Sequence, residues 1–80
     1  MLIPSSQELA RYLKMQRKKL KLSQTDIADL VGLKQKTISA IENNPENIKL
    51  FTLFRILSAL EVEMRLASKK DSFKQWKGEW

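Results

Sequence analysis

Of the two glycines in this chain, Gly32 stands between two short runs of helical periodicity, and that placement limits how the middle of the sequence can fold. In the run before it, Ile27, Leu30 and Val31 form one apolar stripe at spacings of three and four, and Ala28 is small enough to let another helix come close. Ser23 and Asp26 have the spacing of a capping box, which marks the start of this helix and sets an acid beside its positive end. Gly32 suits a left-handed C-terminal cap, from which Leu33 returns the chain to the core. A second helix, over roughly residues 35–43, follows without a long loop.

That second helix has two unlike faces. Ile38 and Ile41 point one way, whereas Gln35, Lys36, Ser39, Ala40 and Asn43 cluster on the other, with no carboxylate among them. Amides and ammonium groups on a short helix suit a DNA major groove, where they meet base edges and phosphates. Helix, glycine turn and polar helix together make the helix-turn-helix pattern. An ordinary helical hairpin with a solvated face has the same pattern, so this stretch leaves both readings open.

Eighty residues make one small domain. A chain of that length buries only about 60% of its unfolded surface, which favours an oligomer. With neither cysteine nor histidine, a disulfide, a thiolate metal site and the usual catalytic base are all missing. No cofactor or metal is expected, and no enzymatic activity. The nearest paired carboxylates, Asp26 with Asp29 and Glu61 with Glu63, read as solvent-facing charges on regular elements. No apolar run is long enough for a membrane span, and Met1-Leu2-Ile3-Pro4-Ser5 does not resemble a secretion signal, so a cytoplasmic protein with no membrane partner is expected.

The net charge of +6 is unevenly placed. Residues 1–22 carry six Lys or Arg against Glu8, residues 23–47 carry two against four acids, and the remainder carries seven against four. Such asymmetry marks a surface for a polyanion, either nucleic acid or anionic lipid.

Pro4 and Ser5 open a first helix that runs to about Leu20, with Ser5 and Glu8 again at capping-box spacing. Its apolar positions are Leu9, Tyr12, Leu13 and Leu20, and most of its other faces are basic. Arg17-Lys18-Lys19-Leu20-Lys21 alone reads as a solvated charge run; beside a groove-reading helix it reads as phosphate contact. Pro45 stops the second polar helix within a five-residue turn cluster, Asn43-Asn44-Pro45-Glu46-Asn47. The next helix, from Leu50 to Leu60, is apolar around most of its circumference. A surplus residue such as Phe51 or Ile56 would then meet a second copy of the chain.

After Leu60 the period changes to two, because Val62, Met64 and Leu66 alternate with Glu61, Glu63 and Arg65. A lone strand must find a partner outside its own chain, and a twofold copy is the simplest one. With the dyad near Met64, Glu63 of one chain would face Arg65 of the other. Residues 62–66 and Phe51 are therefore the expected dimer interface. Phe73, Trp76 and Trp80 stand out in the polar tail, either as anchors for a partner or within a flexible segment. The expected architecture is all-α: a compact helix-turn-helix bundle of four to five short helices in residues 1–67, plus one C-terminal β-strand pairing across a homodimer, with residues 68–80 a flexible tail.

From Leu9 to about Leu66 the chain resembles the Xre/Cro helix-turn-helix repressors, and more closely the HipB antitoxins that partner HipA serine/threonine kinase toxins. The resemblance rests on Leu22-Ser23-Gln24, on Gly32-Leu33-Lys34-Gln35 leading into Thr37-Ile38-Ser39, on Glu42-Asn43-Asn44-Pro45, and on Phe54-Arg55-Ile56-Leu57. The Glu61 to Leu66 strand and a tail ending in Trp are what favour HipB. It implies a homodimer on a palindromic double-stranded DNA operator. Gln24, Lys34, Gln35, Lys36 and Ala40 would read bases, with Gln24 and Gln35 supporting each other. Ser23, Thr37, Ser39, Asn43, Lys18 and Lys19 would contact phosphates, and Arg17 would pair with Glu42 structurally. Two positions depart from the family pattern. Gln16 stands where an aliphatic residue is common, suggesting a looser local core, and Lys21 stands where many members place Gly, suggesting a helix end without glycine geometry. The function implied is a repressor and antitoxin that autoregulates its operon. A stand-alone or phage-type regulator, or a protein-binding adaptor, fits the same residues.

Overall fold

The computed structural model describes residues 2–70. In chain order its elements are α1 (Ser6–Lys19), α2 (Gln24–Val31), α3 (Gln35–Asn43), a 3-10 turn (Pro45–Asn47) and α4 (Leu50–Ala59). The tail aromatics Phe73, Trp76 and Trp80 lie outside the described residues.

Local chemistry sets the helix boundaries. Ser5 caps α1 by accepting from the Glu8 backbone N–H at 3.2 Å, while the Glu8 carboxylate turns to the Arg11 guanidinium. At α2 the capping box closes in both directions: Ser23 Oγ accepts from the Asp26 N–H at 3.0 Å, and Asp26 Oδ2 accepts from the Ser23 N–H at 2.8 Å. Those bonds, the backbone one foremost, hold the Asp26 carboxyl below its ordinary pKa. Gly32 ends α2 at φ +72°, and the Leu33 N–H donates to the Ala28 carbonyl at 2.9 Å. A Cβ at Gly32 would also meet Arg55 Nη2 at 3.3 Å. Pro45 stops α3, having no N–H to continue it and keeping Asn44, at φ −147° and ψ 74°, out of the helical region.

The two other helix ends show how an αL turn is made without glycine. Lys21 follows α1 at φ +60°, and the Leu22 N–H reaches back to the Arg17 carbonyl at 3.0 Å. Glu61 follows α4 in the same way, at φ +60° with the Val62 N–H on the Leu57 carbonyl at 2.9 Å. Lys21 therefore does adopt the glycine geometry that its residue type argued against. Gln16 also differs from expectation: its Nε2 donates to the Leu60 carbonyl at 3.2 Å, satisfying one of the carbonyls left open where α4 ends. The place of an aliphatic residue is taken by a cap joining α1 to the end of α4.

α1, α2, α3 and α4 each bury one side in a common core of Leu13, Ile27, Ala28, Val31, Ile38, Ile41, Leu53, Ile56, Leu57 and Leu60. Two assignments made from periodicity change. Leu30 is 64% exposed, because Ile27, Ala28 and Val31 already fill the contact that α2 makes with the core. Ile56 is buried, and Leu50, Phe51 and Phe54 are the apolar residues that α4 leaves outside. Residues 62–68 belong to neither helix nor strand in the single chain, since a ladder needs a second backbone. Val62 packs against the chain's own core, whereas Met64 and Leu66 are exposed. Arg65 Nη2 donates to Glu63 of the same chain at 3.2 Å. No helix among the described residues is long and apolar enough to cross a membrane.

Candidate nucleic-acid interface

α3 is positioned by its buried pair, Ile38 and Ile41, about one turn apart on a nine-residue helix. Burying each contributes about 1.5–3 kcal/mol, which anchors one face and leaves the other in solvent. On that outer face Gln35, Lys36, Thr37, Ala40 and Asn43 are exposed and Ser39 is half-buried. None of these is acidic, and α3 has neither a side-chain cap nor an acid in its first turn. Lys34, its N-cap residue, is exposed as well. The start of α3 therefore presents positive helix-dipole potential beside Lys34 and Lys36.

Behind this face runs a chain of hydrogen bonds that ends in an ion pair. Arg17 Nε donates to Glu42 Oε2 at 2.7 Å and Arg17 Nη2 to Glu42 Oε1 at 3.1 Å, a fork with side chains only 10% and 5% exposed. Arg17 Nη1 donates to the Leu22 carbonyl at 2.8 Å. Burial pushes the Glu42 carboxyl upward, but the hydrogen bonds from Arg17 and Gln24, with the charges of Arg17 and Lys14, outweigh it and hold the group below its ordinary value. Gln24 Nε2 donates to Glu42 Oε1 at 3.1 Å, and Gln35 Nε2 in turn donates to Gln24 Oε1 at 2.6 Å. Among the described residues no buried side-chain nitrogen or oxygen lacks a partner.

The structure thus separates the residues expected to read bases. Gln24 is half-buried and engaged at both ends of its amide. Gln35 is exposed and uses one N–H of its amide on Gln24. Asn43 Nδ2 donates to the Ser39 carbonyl at 2.9 Å and to Ser39 Oγ at 3.3 Å, so these two polar groups are engaged with each other along the helix. Ser23, named for phosphate contact, is occupied by the capping box. Lys18 and Lys19 are exposed in the last turn of α1, next to Arg17, whose guanidinium reaches Glu42 of α3.

One part of this surface escaped the sequence reading. A groove of about 460 Å³ runs between α3 and the start of α4, lined by Thr37, Ala40, Asn44, Asn47, Lys49 and Thr52 together with the apolar Leu33, Ile41 and Ile48. Asn44 and Asn47 read in the sequence only as part of a turn, whereas Asn43 was also expected at a phosphate. The side chains of Asn44 and Asn47 gain a second meaning because Pro45 folds them back beside α3.

The helix-turn-helix family pattern matches residues 13–66. Antitoxin HipB of Escherichia coli strain K12 is 41% identical over 70 residues, spanning 88% of this chain and 80% of that protein. Antitoxin HipB of Escherichia coli strain CFT073 is also 41% identical over 70 residues, spanning 88% and 74%. Among solved structures, the HipB-O4 20mer complex is similar with a TM-score of 0.82 at 40% identity, covering 86% of this chain and 97% of that one. A chain of the HipA-HipB-O2-O3 complex gives the same TM-score, identity and coverage. The family match over residues 13–66, the TM-score of 0.82 and this level of identity over most of both chains place the protein in the helix-turn-helix family, among the HipB antitoxins.

Proposed function

We propose that the chain is a dimeric, sequence-specific DNA-binding repressor that serves as the antitoxin of a HipA-type kinase toxin and autoregulates their operon in the cytoplasm. The observation that carries this reading is the outer face of α3: exposed, free of carboxylates and backed by a relay of hydrogen bonds to Glu42. Its relatives stand in 20mer complexes and, in one case, together with HipA. Gln35, Lys36 and Ala40 read base edges, with Lys34 at the margin. Thr37, Lys18, Lys19 and the groove residues Asn44, Asn47, Lys49 and Thr52 take the backbone. Phosphate neutralisation supplies affinity through counterion release, and the base contacts supply register and preference.

Two copies are needed because one nine-residue helix reads only a few base pairs. The apolar face of α4 and the unladdered residues 62–66 are the surfaces through which a second copy would join. Joining them places two α3 helices about one DNA turn apart, near 34 Å. The test is a gel shift at fixed salt with the DNA upstream of the chain's own reading frame, with and without a neighbouring HipA-type kinase. The expected result is a discrete complex that unrelated duplex does not compete away and that the kinase shifts further. Equal competition by unrelated duplex would refute the repressor reading, and an unchanged mobility with kinase would refute the antitoxin reading.

A further inference from the structure

We infer that Glu42 is a positioning residue for sequence preference: its carboxylate sets the direction in which the Gln24 and Gln35 amides point, and so fixes which base edge Gln35 accepts. The inference rests on the DNA-binding reading above and assigns the origin of selectivity within that site. An ionised carboxylate has no proton to donate, so whatever bonds to it must be a donor. Arg17 takes one side of Glu42 with two N–H groups, and Gln24 meets Oε1 with Nε2. Gln24 is thereby forced to turn its Oε1 toward α3, and only a donor can meet it there. Gln35 supplies that donor from Nε2 at 2.6 Å, which leaves its second N–H and its Oε1 as a donor and acceptor edge of fixed order.

The order matters because an amide reads adenine by donating to N7 and accepting from N6–H₂, whereas guanine offers acceptors at both N7 and O6. Turned over, the same amide would set its oxygen against N7. A free glutamine is indifferent between the two orientations, since its oxygen and nitrogen are nearly equal in size. Here the choice is made by a buried charge two bonds removed from the surface. Neither Gln24 nor Glu42 touches a base in this scheme, yet both decide what Gln35 can touch.

Glu42→Gln breaks the one-way rule, because the new amide can accept from Arg17 with its oxygen and donate to Gln24 with its nitrogen, inverting each amide downstream. Gln24→Met keeps the shape and the ion pair but cuts the relay. Each variant is measured for binding to a pool of randomised duplexes at fixed salt, below its melting temperature as followed by circular dichroism. In the wild type, Gln35→Ala identifies the base pair concerned by loss of a preference of roughly tenfold or more. Gln24→Met is expected to reduce preference at that same base pair to about twofold while leaving the rest of the site unchanged. Glu42→Gln should reduce or reverse it there, and the Glu42→Gln/Gln24→Met double variant should discriminate no worse than Gln24→Met alone. A merely structural Glu42 would weaken binding to all sequences alike. If Gln35→Ala alters one base pair but Gln24→Met leaves that preference intact, the relay is refuted while DNA reading stands. If the wild type shows no preference in the pool, the DNA-reading function itself fails.

Discussion

α3 has nine residues and α4 ten, and each sinks an apolar side into the same core, Ile38 and Ile41 from the first and Leu53, Ile56 and Leu57 from the second. Their outer sides have nothing in common. Gln35, Lys36, Thr37 and Ala40 face out of α3, whereas Leu50, Phe51 and Phe54 face out of α4 at 66%, 74% and 50% exposure, with Arg55 lying over the Phe51 ring at 5.6 Å. Large apolar groups exposed together on one helix mark a protein contact, and hydrogen-bonding groups without acids mark a polyanion contact. The inner halves of the two helices are interchangeable in kind. Function is divided between the outer halves.

The largest expected effect comes from removing the anchor that α3 has and α4 lacks. Glu42→Ala leaves the Arg17 guanidinium buried without its carboxylate and should cost about 3–5 kcal/mol in chemical denaturation. The same pair sets an acid limit. Because the folded state holds the Glu42 carboxyl below 4.5, its contribution is complete above that value and is lost as the pH falls through the lower, folded one. Thermal midpoints should therefore hold from neutrality down to about pH 5 and then fall, with a shallower fall in Glu42→Gln. A midpoint equally acid-sensitive in both proteins would mean that the ion pair is not what secures α3.

Next in size is a change that touches only the outside of α4. Phe51→Glu should leave the helical circular dichroism of the monomer intact and its stability within about 0.5 kcal/mol, since the residue is exposed. Sedimentation should nevertheless show self-association weakened by about 2 kcal/mol or more, the scale of an aromatic anchor. On α3 the matching change is Gln35→Ala, expected to cost about 1–3 kcal/mol in discrimination at one base pair without altering self-association. If either variant produced the effect assigned to the other, the division between the two outer faces would be lost.

What could be read from the residues, and what could not, follows from distance along the chain. Ser23 with Asp26 and Gly32 before Leu33 are local signals, three residues or fewer across, and they fixed the start and end of α2. The Gln24 to Gln35 contact came only through a family resemblance. Contacts of longer reach left no mark in the pattern: Gln24 meets Glu42 across 18 residues and Gln16 meets Leu60 across 44. α4 shows a different limit. A helix apolar on nearly every side has no period from which to choose its buried face, so Ile56 and Phe54 could be sorted only by packing. Leu30 failed for the opposite reason, because a clear stripe on α2 was wider than the contact available to it.

The smallest lever lies where the two helices end. α3 closes at Asn44 with φ −147° and ψ 74°, on the negative-φ side open to any residue, whereas α4 closes through Glu61 at φ +60°, a region that costs a residue with a Cβ about 1–2 kcal/mol. That turn sets Val62 back against the core and sends Met64 and Leu66 outward, so it sets the direction of the segment expected to join a second copy. Glu61→Gly removes the Cβ conflict but adds unfolded-state entropy worth about 0.5–1 kcal/mol, leaving a net gain near 0.5 kcal/mol. Glu61→Ala removes the same charge while keeping the conflict, so the difference between the two variants isolates the backbone. We expect Glu61→Gly to melt about 2–4 °C above Glu61→Ala, the shift that roughly 0.5 kcal/mol produces in a domain of this size. Equal melting temperatures would mean that the left-handed turn relaxes without glycine, and the exit from α4 would then be no more constrained than the exit from α3.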